Sequence, residues 1–199
     1  MSIIFGNTQE KIEKFNDGKF NVFFIGRADV RNGIPFLITS FKKAKLENDN
    51  MRLIIAGDGP WLPNFKEMAK GPFEKDIHFV GKINKERPAY YNTADIHIFP
   101  AEIATFSITV LEGLAAGKPV ITTEMESFRE IMTHGKEGYL VKYEDVDDMA
   151  RRILELAADE GLRKRMGLCA RERAQLFSWD NVTRKIINFY KETYKKVNS

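Results

Sequence analysis

Cysteine is almost absent: Cys169 stands alone among the 199 residues, so no intramolecular disulfide can form, and it sits in a helical pattern far from any histidine that could join it as a metal ligand or nucleophile pair. That usage fits a reducing cytoplasm. No apolar run approaches the roughly 20 residues needed to cross a bilayer, and Met1-Ser2-Ile3-Ile4-Phe5-Gly6-Asn7 leads into charged residues instead of a long apolar signal core. An excess of one charge is also lacking. Lysine and arginine number 31 against 28 acidic residues, and they are spread along the chain, so charge alone does not indicate a nucleic-acid partner. Histidines number only three, and no histidine, cysteine or carboxylate cluster has metal-ligand spacing. No cofactor is expected. Repeats, low-complexity stretches and internal linkers are absent as well, which leaves one compact domain as the expected organisation.

What is present is a repeated unit. The run Phe20-Asn21-Val22-Phe23-Phe24-Ile25 is short, β-rich and continuous, as a strand covered on both faces requires, and it stops at Gly26-Arg27 before a helical stripe beginning near Ile34. The alternation recurs with strands at Arg52–Ala56, Ile77–Val80, Ile96–Phe99, Lys118–Thr122 and Tyr139–Val141. Between them fall helical patterns through Lys70, from Lys85 to Thr93, from Ile108 to Ala116 and from Ser127 to Met132. Three helices close the chain, at Val146–Ala158, Glu160–Leu176 and Trp179–Lys196, the last an aromatic stripe read mainly as core, with part of it open to exposure. Strands alternating with helices predict right-handed crossovers and a doubly wound parallel α/β sheet whose ligands bind beyond the carboxyl ends of the strands. Residues 1–19 are polar, contain Asp17-Gly18, and read as a tail or an interdomain connector, with the domain proper at 20–199.

Glycine-bearing turns follow strands at Gly26-Arg27, Gly57-Asp58-Gly59-Pro60 and Gly81-Lys82, and another, at Gly117, lies between a helical pattern and the next strand. Backbone amides in such turns can approach phosphate oxygens, and a helix N-terminus adds partial positive charge, although any doubly wound fold needs glycines there. Arg27 is more informative, because a guanidinium at a strand's carboxyl end can hold a diphosphate bidentately. Arg31 reads as a solvated side chain, His97 as a packed strand residue and His134 as a helix end. No Gly-x-Gly-x-x-Gly follows the first strand, which argues against a redox dinucleotide domain.

The stretch from Phe99-Pro100 through Glu112-Gly113-Leu114-Ala115-Ala116-Gly117-Lys118-Pro119-Val120-Ile121 resembles the donor-site segment of family 4 glycosyltransferases. The resemblance extends from about Phe20 to Tyr194 and includes Phe24-Ile25-Gly26-Arg27, Ile55-Ala56-Gly57-Asp58-Gly59-Pro60, Phe79-Val80-Gly81, Tyr91 with Ala94-Asp95, Gly138-Tyr139-Leu140-Val141 and Phe177-Ser178-Trp179. It implies one Rossmann-like lobe of a two-lobed GT-B fold, with C-terminal helices, that grips a UDP- or GDP-sugar. The acceptor lobe would be missing, and any association with the inner face of a membrane would come through that lobe.

By the same resemblance Arg27 and Glu112 are the catalytic pair, with Arg27 on the diphosphate and Glu112 on the ribose hydroxyls. The donor-contacting set is Gly26, Arg27, Asn32, Gly57, Lys82, Ile83, Phe106, Ser107, Ile108, Thr109 and Glu112. Within it the amides of Ser107, Ile108 and Thr109 face the diphosphate, and the backbone of Lys82 and Ile83 flanks the base. The sequence departs from the family at three places: Asn32 stands where a lysine is usual, Ala104 where the first glutamate of an acidic pair is usual, and Ser107 where a glycine follows the phenylalanine. The implied activity is retaining sugar transfer, with the isolated domain inactive. The alternative is a degenerate lobe that binds a nucleotide without catalysis.

Overall fold

The structure, a computed structural model, describes residues 10–197. Six strands, β1 (Phe20–Ile25), β2 (Met51–Ala56), β3 (Ile77–Gly81), β4 (Ile96–Phe99), β5 (Val120–Thr123) and β6 (Gly138–Val141), form one sheet in the order β3-β2-β1-β4-β5-β6. Every pairing is parallel. The helices are α1 (Ile34–Glu47), α2 (Leu62–Ala69), α3 (Arg87–Thr93), α4 (Ile108–Ala115), α5 (Glu126–Arg129), α6 (Val146–Ala158), α7 (Glu160–Gln175) and α8 (Trp179–Val197). The doubly wound α/β expectation holds. Chain order reverses between β1 and β4, and a crevice opens at the carboxyl ends of strands that diverge in this way.

Continuous apolar strands form because both faces of the sheet are covered. Val22 and Phe24 of β1 join one core cluster with Leu53, Ile55, Ile96 and Ile98, while Phe23 and Ile25 join a second with Ile54, Ala56, Tyr90 and Tyr91. This is the period-2 alternation of a strand sandwiched between two helical layers. Burying each Phe, Ile or Leu side chain contributes about 1.5–3 kcal/mol, so the sheet's centre is where the fold is anchored.

Part of the segment read as a tail or connector lies within the described residues, and three other expectations need revision. Of the segment read as a tail or connector, residues 1–9 lie outside the described residues, but residues 12–19 are packed onto the domain. Phe15 is 2% exposed and packs beside Tyr90 and His78, and the Ile12 amide donates to Thr93 Oγ1 at 2.7 Å. Phe15, with Ile12 packed beside it, anchors this otherwise exposed stretch on the second core. The helix expected over Ser127–Met132 is shorter, ending at Arg129. His134 is thus not at a helix end; its Nδ1 lies 3.2 Å from the Leu140 amide and 3.1 Å from the Leu140 carbonyl, beside β6. Finally, α8 is not core: Trp179, Ile186, Ile187, Phe189, Tyr190 and Tyr194 are all exposed in the described chain.

Candidate functional site

The turns leaving β1, β2 and β3 are bonded into one rim. The Gly26 amide donates to the Ala56 carbonyl at 3.0 Å, the Gly57 amide to the Gly81 carbonyl at 2.7 Å, and the Ala28 amide to the Asp58 carbonyl at 3.0 Å. Gly57 has φ 130°, and a Cβ there would lie 1.8 Å from the Gly26 carbonyl oxygen. The glycine is thus demanded by the contact between two turns. Gly33 has φ 72°, and its absent side chain faces the Pro100 carbonyl oxygen, 1.8 Å from where a Cβ would sit. The loop after β1 is therefore gripped by the β2 turn on one side and by the segment after β4 on the other. A second bond, from the Glu102 amide to the Arg31 carbonyl at 2.9 Å, reinforces the latter contact.

Inside this loop the two candidate residues have different employment. Asn32 donates its side-chain amide to the Arg27 carbonyl at 2.8 Å, which shapes the turn. Arg27 itself is exposed, and its guanidinium forms no ion pair among the described residues. Arg31 is exposed and pairs with Asp29 at 3.4 Å, in keeping with a solvated side chain. A nearby guanidinium without a carboxylate partner is suited to an incoming anion.

The segment after β4 is pinned from below. Thr122 Oγ1 donates to the Phe99 carbonyl at 2.6 Å, Thr123 Oγ1 to Ala101 at 2.5 Å and Ser127 Oγ to Ala104 at 2.7 Å. Ala104 is thus held by its backbone, and its methyl group packs against the core instead of offering a carboxylate. The segment ends at Ser107, whose hydroxyl caps α4 by accepting from the Val110 amide at 3.3 Å and also bonds the Thr109 hydroxyl at 2.9 Å. The amides of Ile108 and Thr109 belong to the first helical turn, which has no intrahelical acceptors, so they and the helix dipole favour an anion at this end. Phe106 and Ile108 hold exposed apolar side chains at the same rim.

Glu112, one turn farther along α4, is only 7% exposed. A solvated helix carboxylate is excluded. Its Oε1 accepts from Arg87 Nη1 at 2.8 Å and its Oε2 from the Tyr91 hydroxyl at 3.0 Å. The same hydroxyl is 3.1 Å from the Thr109 carbonyl, tying α3 to the first turn of α4. Burial, then the Glu112 carboxylate, pushes the Tyr91 phenol well above its ordinary value, so it stays a donor. Neither Arg87 nor Tyr91 was assigned a role from sequence. Their i, i+4 spacing puts them on one face of α3 and is the feature that could have pointed to them.

Lys82 is exposed and lies 3.6 Å from Asp58, while the Ile83 side chain is buried in the second core, leaving its backbone as the part that could meet a ligand. His97 is wholly buried against Phe23 and Tyr91, and burial lowers its pKa to about 3. A packed strand histidine was the expectation. Among the described residues there is no group of three or more His, Cys, Asp or Glu that could hold a metal ion, and no helix is long and apolar enough to cross a membrane. A cavity of about 280 Å³ lies at the amino ends of the central strands, beside Asn21 and Asp95 at the starts of β1 and β4, away from this rim. A shallower one of about 440 Å³ opens between Val30, Trp61 and Met68.

The family model described as Glycosyl transferases group 1 matches residues 6–173. The chain is 30% identical over 179 residues to a GDP-mannose-dependent alpha-(1-6)-phosphatidylinositol monomannoside mannosyltransferase of Mycobacterium tuberculosis, covering 84% of this chain and 46% of that protein. In structure it is similar to Staphylococcus aureus TarM crystallised with UDP, with TM-score 0.80 at 18% identity, over 91% of this chain and 37% of that one. It is also similar to the C-terminal domain of a group 1 glycosyl transferase, LpcC, from Francisella tularensis, with TM-score 0.73 at 21% identity, over 83% of this chain and 93% of that one. The chain spans about half the length of the curated relatives it matches.

Proposed function

The chain belongs to the glycosyl transferases of group 1, and from that premise we propose that it is the donor-binding half of a retaining enzyme that transfers a sugar from a nucleotide diphosphate-sugar. One observation supports this above the others: Arg27, without an ion pair among the described residues, and the first turn of α4 stand at the carboxyl ends of β1 and β4, where strand order reverses, on loops that touch through Gly33 and Pro100. In this reading Arg27 and the amides of Ser107, Ile108 and Thr109 hold the diphosphate and stabilise the charge that builds on it as the sugar departs. Glu112 accepts from the ribose hydroxyls, and the backbone of Lys82 and Ile83 lies against the base. Relatives point the same way: one is named for its dependence on GDP-mannose, and TarM was crystallised with UDP. The acceptor would come on a second lobe, so this half alone would not turn over.

A degenerate lobe is the second reading, and it has its own support. The position where the family usually has a lysine is Asn32, whose amide is engaged at the Arg27 carbonyl, and Ala104 has no group for a sugar hydroxyl. Titration with UDP, GDP and ADP, each beside its sugar conjugate, and with NAD separates the readings. A working donor pocket binds one sugar conjugate more tightly than the free nucleotide. Equal binding of the two supports the degenerate lobe, and preference for NAD over all of them defeats both readings.

A further inference from the structure

We propose that Arg87 and Tyr91 are positioning residues that fix the Glu112 carboxylate so that it can discriminate a ribose diol from its deoxy counterpart. This rests on the reading that Glu112 meets the ribose. A glutamate side chain has three rotatable bonds, and one that is 7% exposed cannot rely on water to orient it. Here each carboxylate oxygen has one protein donor, Arg87 Nη1 on Oε1 at 2.8 Å and the Tyr91 hydroxyl on Oε2 at 3.0 Å, the single phenol proton being shared with the Thr109 carbonyl at 3.1 Å. An ionised carboxylate oxygen accepts more than one hydrogen bond, so each retains capacity for a further donor. A vicinal diol brings two O–H donors to two such oxygens. The clamp sets the plane in which they meet.

The clamp also couples two parts of the ligand. Arg87 opens α3, four residues after Ile83, the segment assigned to the base, whereas Glu112 lies one turn beyond the α4 amides assigned to the diphosphate. Tyr91 is fully buried, packs edge-on against Phe23 at 5.2 Å between ring centroids, and reaches both Glu112 and the Thr109 carbonyl of that first turn. Arg87 keeps about a third of its side chain exposed.

The test measures the affinity of UDP and of GDP, each beside its 2′,3′-dideoxy form, for the unaltered chain and for Glu112→Ala, Arg87→Met, Arg87→Lys and Tyr91→Phe, with a melting temperature for each. The expected result is a preference for the ribose form of about tenfold or more in the unaltered chain, the scale of one hydrogen bond to a charged group. Glu112→Ala abolishes it and Arg87→Met reduces it below about threefold. Tyr91→Phe falls between, Arg87→Lys recovers part of it, and affinity for the dideoxy form stays constant. If Glu112→Ala removes the preference but Arg87→Met and Tyr91→Phe both keep it whole, the clamp is wrong and the ribose assignment stands. Tighter ribonucleotide binding by Arg87→Met would likewise overturn the clamp, by showing that Arg87 obstructs the carboxylate. If the unaltered chain shows no preference, or Glu112→Ala leaves it intact, the ribose reading fails and the clamp with it.

Discussion

Arg27 and Glu112 sit at the same edge of the sheet and are assigned to the same ligand, yet they are opposites in physical terms. Arg27 is an exposed cation on a turn whose conformation is dictated by its backbone, with the Asn32 amide on its carbonyl and, among the described residues, no carboxylate paired with its guanidinium. Glu112 is a buried anion committed to two donors on another helix. The cation is thus free to act and contributes little to the fold, whereas the anion is part of the fold and acts only through what remains of its acceptor capacity. A site can be assembled from one group of each kind when rigid loops carry the exposed one and a core network carries the buried one.

The largest expected effect comes from breaking the contact that holds the loop of Arg27 against the segment after β4. Gly33→Ala sets a Cβ against the Pro100 carbonyl oxygen at a backbone φ of 72°, and should cost about 3 kcal/mol of stability together with nucleotide binding. Chemical denaturation of the variant measures this; a loss under about 1 kcal/mol would mean the two loops do not need their observed approach. Glu112→Ala comes next. It leaves Arg87 and Tyr91 facing an empty acceptor position, and because Arg87 keeps about a third of its side chain exposed, the cost should be about 2 kcal/mol, below that of a fully buried pair.

A third expectation concerns the layer beneath Tyr91. His97 is held neutral down to about pH 3 in the folded chain by burial, while an unfolded histidine takes up its proton near 6.5. Below pH 6.5 the unfolded state therefore binds more protons, and stability falls as pH drops, by about 1.4 kcal/mol per pH unit from this group. His78 is also shifted downward by burial and adds to the same trend. His97→Phe should make the stability curve between pH 6.5 and about 4 shallower by one proton's worth; an unchanged slope would mean that His97 titrates normally. Smallest of all is the stability effect of Arg27→Ala, within about 0.5 kcal/mol, as for other exposed positions.

Much of the fold was legible because each strand is a short apolar run, the first three ended by a glycine turn, and β1 was bounded at Phe20 and Ile25 from that pattern alone. Glu112 was legible from its surroundings in the chain. Its partners were not, because Arg87 follows Lys85 and Glu86 in a charged stretch that reads as a solvated face, and the pairing bridges 25 residues. Phe15 was hidden by polar neighbours, and its ring is buried while most of the residues around it stay exposed. The aromatic stripe of α8 failed in the other direction. Trp179, Phe189 and Tyr190 have the spacing of a core helix, and periodicity cannot say whether the surface that covers such a face lies within the same chain.

The central claim is that Arg27 serves a diphosphate and not the fold. Calorimetric titration of the unaltered chain and of Arg27→Ala with UDP, UMP, GDP and GMP tests it most directly, with melting temperatures recorded on the same samples. The account predicts that the unaltered chain favours the diphosphate over the monophosphate of its preferred base by about tenfold. It predicts that Arg27→Ala brings the two together while its melting temperature stays the same. An undiminished diphosphate preference in Arg27→Ala would contradict it.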